Sequence, residues 1–86
     1  MHSPTNQNVQ TLLIAAIKNG NMVSVELLLK ECLDVNNADN NGRTALMYAA
    51  KKGNLKAVKE LLEAGANVDK VDKDGKTTLM LAAWHG

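Results

Sequence analysis

The 86-residue chain is predicted to be an all-α solenoid of stacked helix–turn–helix units. Two observations predict it. The run Asp39-Asn-Asn-Gly-Arg-Thr-Ala-Leu-Met-Tyr-Ala-Ala-Lys-Lys-Gly53 recurs thirty-three residues later as Asp72-Lys-Asp-Gly-Lys-Thr-Thr-Leu-Met-Leu-Ala-Ala-Trp-His-Gly86, with eight of fifteen positions identical. A fixed period of this length marks a chain built from stacked supersecondary units. The composition agrees: Phe is absent, and Trp84 and Tyr48 are the only large aromatics, so the core must be Leu, Val, Ile, Met and Ala. Such side chains suit close helix packing.

The same period runs backward. Residues 11–38 match residues 44–71 at ten of twenty-eight positions, among them Thr11/Thr44, Leu13/Leu46, Gly20/Gly53, Val25/Val58 and Leu28/Leu61. The chain therefore divides into a tail over residues 1–7, a worn first unit over 8–38, a full second unit over 39–71, and the first half of a third over 72–86.

The second unit reads element by element. Asn41-Gly42 is a tight-turn dipeptide, because Gly tolerates positive φ and Asn nearly does. Thr44 then stands as a helix N-cap, able to accept a bond from an orphan amide of the first turn. Ala45 to Lys52 forms a short helix with Leu46, Met47, Ala49 and Ala50 as apolar members, and Gly53 ends it. Asn54 caps a second helix running to about Ala64. Its Leu55, Val58, Leu61 and Leu62 have the three–four spacing of one buried face. Gly65 ends that helix, and Ala66 to Lys70 leads out, extended, to the next turn at Asp74-Gly75. Neither helix is long enough to stand alone, so each buries its face only by stacking on the next unit.

At these residues the chain resembles the ankyrin repeat family, whose pattern runs Asp-x-x-Gly-x-Thr-Pro-Leu-His-x-Ala-Ala-x-x-Gly-His, then a Leu-rich helix, then Gly-Ala-Asp-Val-Asn. The second unit matches over its full length, ending Leu61-Leu62-Glu63-Ala64-Gly65-Ala66-Asn67-Val68-Asp69. The third matches as far as Gly86 and the first from Thr11, so the resemblance covers about residues 8–86. The departures are specific. The family's Pro is replaced by Ala45 and Thr78, which removes preorganisation of that turn. Its His is replaced by Ile14, Met47 and Met80, so any ladder that His makes between repeats is missing. The Gly that ends the second helix is Cys32 in the first unit, at a cost on the order of 1 kcal/mol if the residue is left-handed. The first unit also lacks the leading Asp-x-x-Gly turn, as expected of a terminal repeat.

No constellation supports catalysis, and no cofactor or metal is expected. His2 and His85 lie far apart in sequence without a Cys or carboxylate at ligand spacing. Cys32 has no His in its own segment and reads as a small residue at a helix end. Asp34, Asp39, Asp69, Asp72 and Asp74 invite a calcium reading, but Asp72-Lys-Asp-Gly-Lys lacks the alternating oxygen ligands and closing Glu of such a loop. Asp39 and Asp72 read instead as turn formers.

Binding is the expected function. In ankyrin repeats the contact surface is usually the turn tips and the exposed end of the first helix. On this chain the resemblance carries those positions to Lys18 and Asn19 in the first unit, Asn40, Asn41, Arg43, Lys51 and Lys52 in the second, and Lys73, Asp74, Lys76, Trp84 and His85 in the third. The strip is basic and expects an acidic or mixed protein surface, with Arg43 and Trp84 as anchors. The bland alternative for the lysines is a solvated helix surface. Asn36, in Asp34-Val35-Asn36, resembles a position at which ankyrin repeats can be hydroxylated, although the same sequence also serves as an ordinary repeat exit.

The net charge of +1 favours neither nucleic acid nor an anionic membrane as partner. The apolar run Leu12–Ile17 is too short for a signal core or a membrane span. A single cysteine suits a reducing compartment, hence cytosol or nucleus. Gly86 falls where a third unit would be half complete, so a fragment of a longer array, low stability or self-association through an open end is expected. The functional expectation is an adaptor or regulatory scaffold. The alternatives are the targeting segment of a multidomain enzyme or channel, and a short regulator that pairs with a longer ankyrin protein.

Overall fold

The computed structural model describes the backbone of residues 6–31 and 34–85, and the side chains of 9–31 and 34–83. The described residues form five helices: α1 (Asn6–Asn19), α2 (Met22–Glu31), α3 (Ala45–Lys52), α4 (Leu55–Glu63) and α5 (Thr78–His85). Helix α1 begins two residues inside the segment read as a tail. An isolated antiparallel bridge between Val71 and Thr77 flanks the last turn.

The helices stack in two layers. In one, α3 packs against α1 and against α5; in the other, α4 packs against α2. Within a unit, α1 pairs with α2 and α3 with α4. The core runs between the layers through Leu13, Ile14, Ala16 and Ile17 of α1, Val25 of α2, Ala45, Leu46, Tyr48 and Ala49 of α3, and Ala57 and Leu61 of α4. Helix α3 is buried from Ala45 to Ala49 because α1, α4 and α5 all pack against it.

Local chemistry sets the ends of α3. Thr44 accepts from the Met47 amide at 3.4 Å, and the Met47 thioether accepts from the Thr44 amide at 3.5 Å. Sulfur here does the work that a Glu or Gln oxygen does in a capping box. Met47, read in the sequence as a lost His, is fully buried in this role. Gly53 closes the helix with its amide on the Ala50 carbonyl at 3.0 Å. Asn54 caps α4 by accepting from the Ala57 amide at 3.1 Å.

Three expectations need correction. Leu55 and Leu62 are exposed rather than buried with Leu61. Their counterparts thirty-three residues earlier, Met22 and Leu29, are partly buried against the core. Helix α4 covers α2, whereas no described helix covers α4 on the equivalent side. The exit after Gly65 is not extended throughout: it turns at Val68–Asp69, where the Asn67 side chain accepts from the Asp69 amide at 2.8 Å. Tyr48, in the sequence only a large aromatic, belongs to the core. Cys32, read as a helix-ending residue, lies outside the described residues.

Candidate functional site

The two turn tips are built alike. In the second unit the Asp39 carboxylate accepts from the amides of Asn41 at 2.9 Å and Arg43 at 3.0 Å, while the Asp39 amide donates to the Arg43 carbonyl at 2.9 Å. In the third, Asp72 accepts from Asp74 at 2.9 Å and Lys76 at 3.0 Å, and its amide donates to the Lys76 carbonyl at 3.0 Å. One aspartate thus satisfies the amides of a whole turn, which is why each tip needs this residue at its start.

The tips are also joined to each other. The Lys73 amide donates to the Asn41 carbonyl at 3.1 Å, and Arg43 Nε donates to Asp72 Oδ2 at 3.3 Å. Gly42 φ is +75°, and a Cβ there would stand 2.9 Å from the Lys73 nitrogen. Absence of a side chain is therefore what lets the tips touch. The Tyr48 hydroxyl donates to the other Asp39 oxygen. Lys18 Nζ lies 4.7 Å from the centre of the Tyr48 ring and Arg43 Cζ 6.0 Å from it. All three units thus contribute to one edge: Lys18 from the first, Asp39, Arg43 and Tyr48 from the second, Asp72 from the third.

This network moves the carboxylates. The Lys76 amide, chiefly, with the Asp74 amide and Arg43, holds Asp72 below its ordinary value of 3.8. Burial pushes Asp39 up, but the Tyr48 hydroxyl, the Arg43 and Asn41 amides and the Lys18 charge together outweigh it and bring it below 3.8. Burial, followed by the hydrogen bond to Asp39, raises Tyr48 above 10.0.

The predicted strip residues fall into groups. Lys18, Asn19, Asn40, Asn41, Lys52, Lys73 and Asp74 are exposed, and Lys51 and Lys76 are half-exposed. Arg43, expected as an anchor, has a side chain 22% exposed and pairs its guanidinium with Asp72 at 3.3 Å. It positions the tips. The side chains of Trp84 and His85 lie outside the described residues. Sequence reasoning missed Tyr48, whose ring carries Lys18 and whose hydroxyl holds Asp39. A family pattern treats that position as variable, so only the neighbouring Lys18 and Asp39 could have signalled it.

Asn36, singled out for hydroxylation, uses both ends of its amide. Its oxygen accepts from the Asn67 amide at 2.6 Å and its nitrogen donates to the Gly65 carbonyl at 3.2 Å. It joins the exits of the first two units. Elsewhere a groove of about 440 Å³ lies between α2 and α4, lined by Glu26, Leu29, Lys30, Glu60, Glu63 and Ala64. Among the described residues no group of three or more His, Cys, Asp or Glu could hold a metal ion. No helix among them is long and apolar enough to cross a membrane.

No curated protein matches the chain. The family model for ankyrin repeats, in three copies, matches residues 1–72. That span takes in the first unit and stops at Asp72, the aspartate that opens the last turn. The turn, the caps and the helix pair recur at one period and stack through the same positions, and on that match the chain belongs to the ankyrin repeat family.

Proposed function

We propose that the chain is a non-catalytic protein-binding module that presents its basic edge to an acidic or mixed protein surface, as an adaptor or regulatory scaffold in the cytosol or nucleus. Ankyrin repeats are in general protein–protein interaction modules. The observation that carries the finer reading is the bonded pair of turn tips. Asn40, Asn41, Lys73 and Asp74 are displayed on loops whose backbones are held by Asp39, Asp72 and the contact between them. Preorganised loops lose little conformational entropy on binding, so their contacts convert into affinity. Lys18, Lys51 and Lys52 extend the same edge and supply charge that steers an acidic partner. Arg43 acts by fixing the tips, and Trp84 extends the edge by sequence position. The single cysteine of the chain supports a reducing compartment.

The test is quantitative capture. The 86-residue chain is immobilised, a captured protein is identified and purified, and its affinity is measured against two triple variants. Lys51→Glu/Lys52→Glu/Lys73→Glu reverses the edge. Lys30→Glu/Lys56→Glu/Lys59→Glu makes the same charge change on α2 and α4. The expected result is a loss of roughly a hundredfold or more for the first, concentrated in association rate and salt dependence, and little for the second. Equal losses refute the edge as the contact surface. The same reading accommodates use of this module as the targeting segment of a larger enzyme or channel, whose activity would lie in other sequence.

A further inference from the structure

The cations of the basic edge are not equivalent. Lys18 and Lys51 hold the same place in successive units, each the last residue but one of its helix. Thirty residues beyond Lys18 stands Tyr48, and thirty beyond Lys51 stands Leu81. The register that sets a ring beside the first lysine sets an aliphatic side chain beside the second. Lys18 Nζ lies 4.7 Å from the centre of the Tyr48 ring, within reach of a cation–π contact. The ring itself is fixed: Tyr48 belongs to the core and its hydroxyl donates to Asp39. Among the described residues Lys18 makes no ion pair, whereas Arg43 is paired with Asp72 and Lys56 with Glu26. Lys18 is thus a cation placed by an uncharged surface, with its charge and N–H donors left for a ligand.

We propose, taking the basic edge as the contact surface, that Lys18 held over Tyr48 is the specificity-determining cation of that edge, and that it seats a single carboxylate of the partner, an Asp or Glu side chain. A lysine in open solvent gives up rotamer freedom when it forms an ion pair, which is why exposed pairs contribute little. Lys18 has surrendered part of that freedom to the ring before a partner arrives, so more of the pairing is realised as affinity. Lys51 and Lys52 have no ring beneath them among the described residues. They act through longer-range attraction, which sets how fast a partner arrives rather than how it is held.

The neighbours set the charge of the ligand. Arg43 is balanced by Asp72, and the Lys18 charge acts on Asp39, which the Tyr48 hydroxyl holds beside the ring. Two carboxylates therefore already stand at this edge. A monoanion at Lys18 brings one further negative charge, which Lys51 and Lys52 offset. A phosphorylated side chain brings nearly two and meets repulsion from both aspartates. A carboxylate is the better match, and the ring beneath Lys18 lets it pair without first breaking an existing ion pair.

The experiment is an NMR titration of the 86-residue chain with two probes, a peptide of alternating Glu and Gly and a peptide of equal total charge carried by phosphoserine. Lys18→Met keeps the apolar stem on the ring and removes the charge; Lys51→Met is the same change in the next unit. The expected result is a loss of roughly tenfold in affinity for the Glu peptide in Lys18→Met and about twofold in Lys51→Met. Lys18→Arg retains most of the affinity, because Arg also lies well on a ring. Tyr48→Leu, which installs the residue of that register in the third unit, reduces the effect of Lys18→Met to that of Lys51→Met and abolishes the upfield shift of the Lys18 ε protons. Tyr48→Phe keeps both, and it carries the test should Tyr48→Leu lose helical content by circular dichroism. Equal losses for the two lysine variants overturn the role of Lys18 and leave the basic edge standing. Failure of the chain to bind the Glu peptide overturns the inference as well, while the capture experiment decides the edge separately. Tighter binding of the phosphoserine peptide through Lys18 overturns the carboxylate.

Discussion

Gly42 and Gly75 occupy the same place in two nearly identical turns, at φ +75° and +79°. Their surroundings differ. A Cβ at Gly75 meets nothing within 4 Å, whereas one at Gly42 meets the Lys73 nitrogen at 2.9 Å and two Asp72 backbone atoms at 3.2 Å. The pair separates backbone conformation from repeat stacking. Gly75→Ala incurs only the left-handed penalty of about 1 kcal/mol. Gly42→Ala incurs the same penalty plus the overlap with a neighbouring backbone, about 1–3 kcal/mol for forced insertion of a methyl group. Relief of that overlap separates the tips and sacrifices the Lys73–Asn41 bond, about 1 kcal/mol. The expected losses are therefore about 1 kcal/mol for Gly75→Ala and about 2–4 kcal/mol for Gly42→Ala. Urea unfolding followed by circular dichroism, at a concentration where self-association is negligible, measures both. Hydrogen exchange adds a local readout: the Lys73 amide loses protection in Gly42→Ala and keeps it in Gly75→Ala. Equal destabilisation by the two substitutions refutes the claim that the tips bear on each other.

The other expectations follow from the same contacts. Thr78 Oγ1 is buried without a hydrogen-bond partner, so Thr78→Val stabilises by about 1 kcal/mol in thermal or urea unfolding. Thr78→Pro stabilises by a similar or larger amount, because Thr77 caps α5 from the position before it and Pro suits the first helical residue. Asp39 and Asp72 titrate below 3.8 in the folded chain; stability is level from neutrality to about pH 5 and falls as pH drops through 4 and below, where the unfolded state takes up the protons first. Asp39→Asn/Asp72→Asn flattens that acid limb in a pH series of melts, at lower stability near neutrality. Tyr48 titrates above 10.0 when folded, so its contribution is complete below that pH and is lost as pH rises beyond it; Tyr48→Phe removes this alkaline loss.

The legible parts of the fold are those set within a few residues. Helix α3 runs from Ala45 to Lys52 as the sequence predicts, because Thr44, Gly53 and Asn54 act on amides and carbonyls of their own neighbourhood. The turn at Asp39 was readable for the same reason. Contacts between units were not. A spacing of three and four marks Leu55, Val58, Leu61 and Leu62 as one apolar stripe, but burial of a stripe depends on whether another helix lies on it. The sequence shows Arg43 only as a contact residue because its partner, Asp72, is twenty-nine residues away. The period itself held the missing signal: it stacks Asp72 on Asp39, and Arg43 follows Asp39 by four residues. Met47 stands where the family has His and reads as the loss of a ladder between repeats, yet its position three residues after Thr44 places sulfur against the Thr44 amide.

The family's Pro and His are absent from this chain, yet polar links still join its units. On the turn side they include Lys73 to Asn41 and Arg43 to Asp72; on the exit side they include Asn36 to Asn67 and to Gly65. Both sets lie outside the apolar layers, and each joins only adjacent units. Stability in such an array is a sum of units and nearest-neighbour interfaces, so these links hold each unit to the next without stiffening the end face. The turn-side links have a second consequence. They fix the loops that carry Asn40, Asn41, Lys73 and Asp74, so the same bonds that join the units also shape the edge. Helix α5 has no exit-side hydrogen bond shown among the described residues and rests chiefly on α3 and the turn before it. It is consequently the element whose order gains most, through its turn, from a partner at the basic edge.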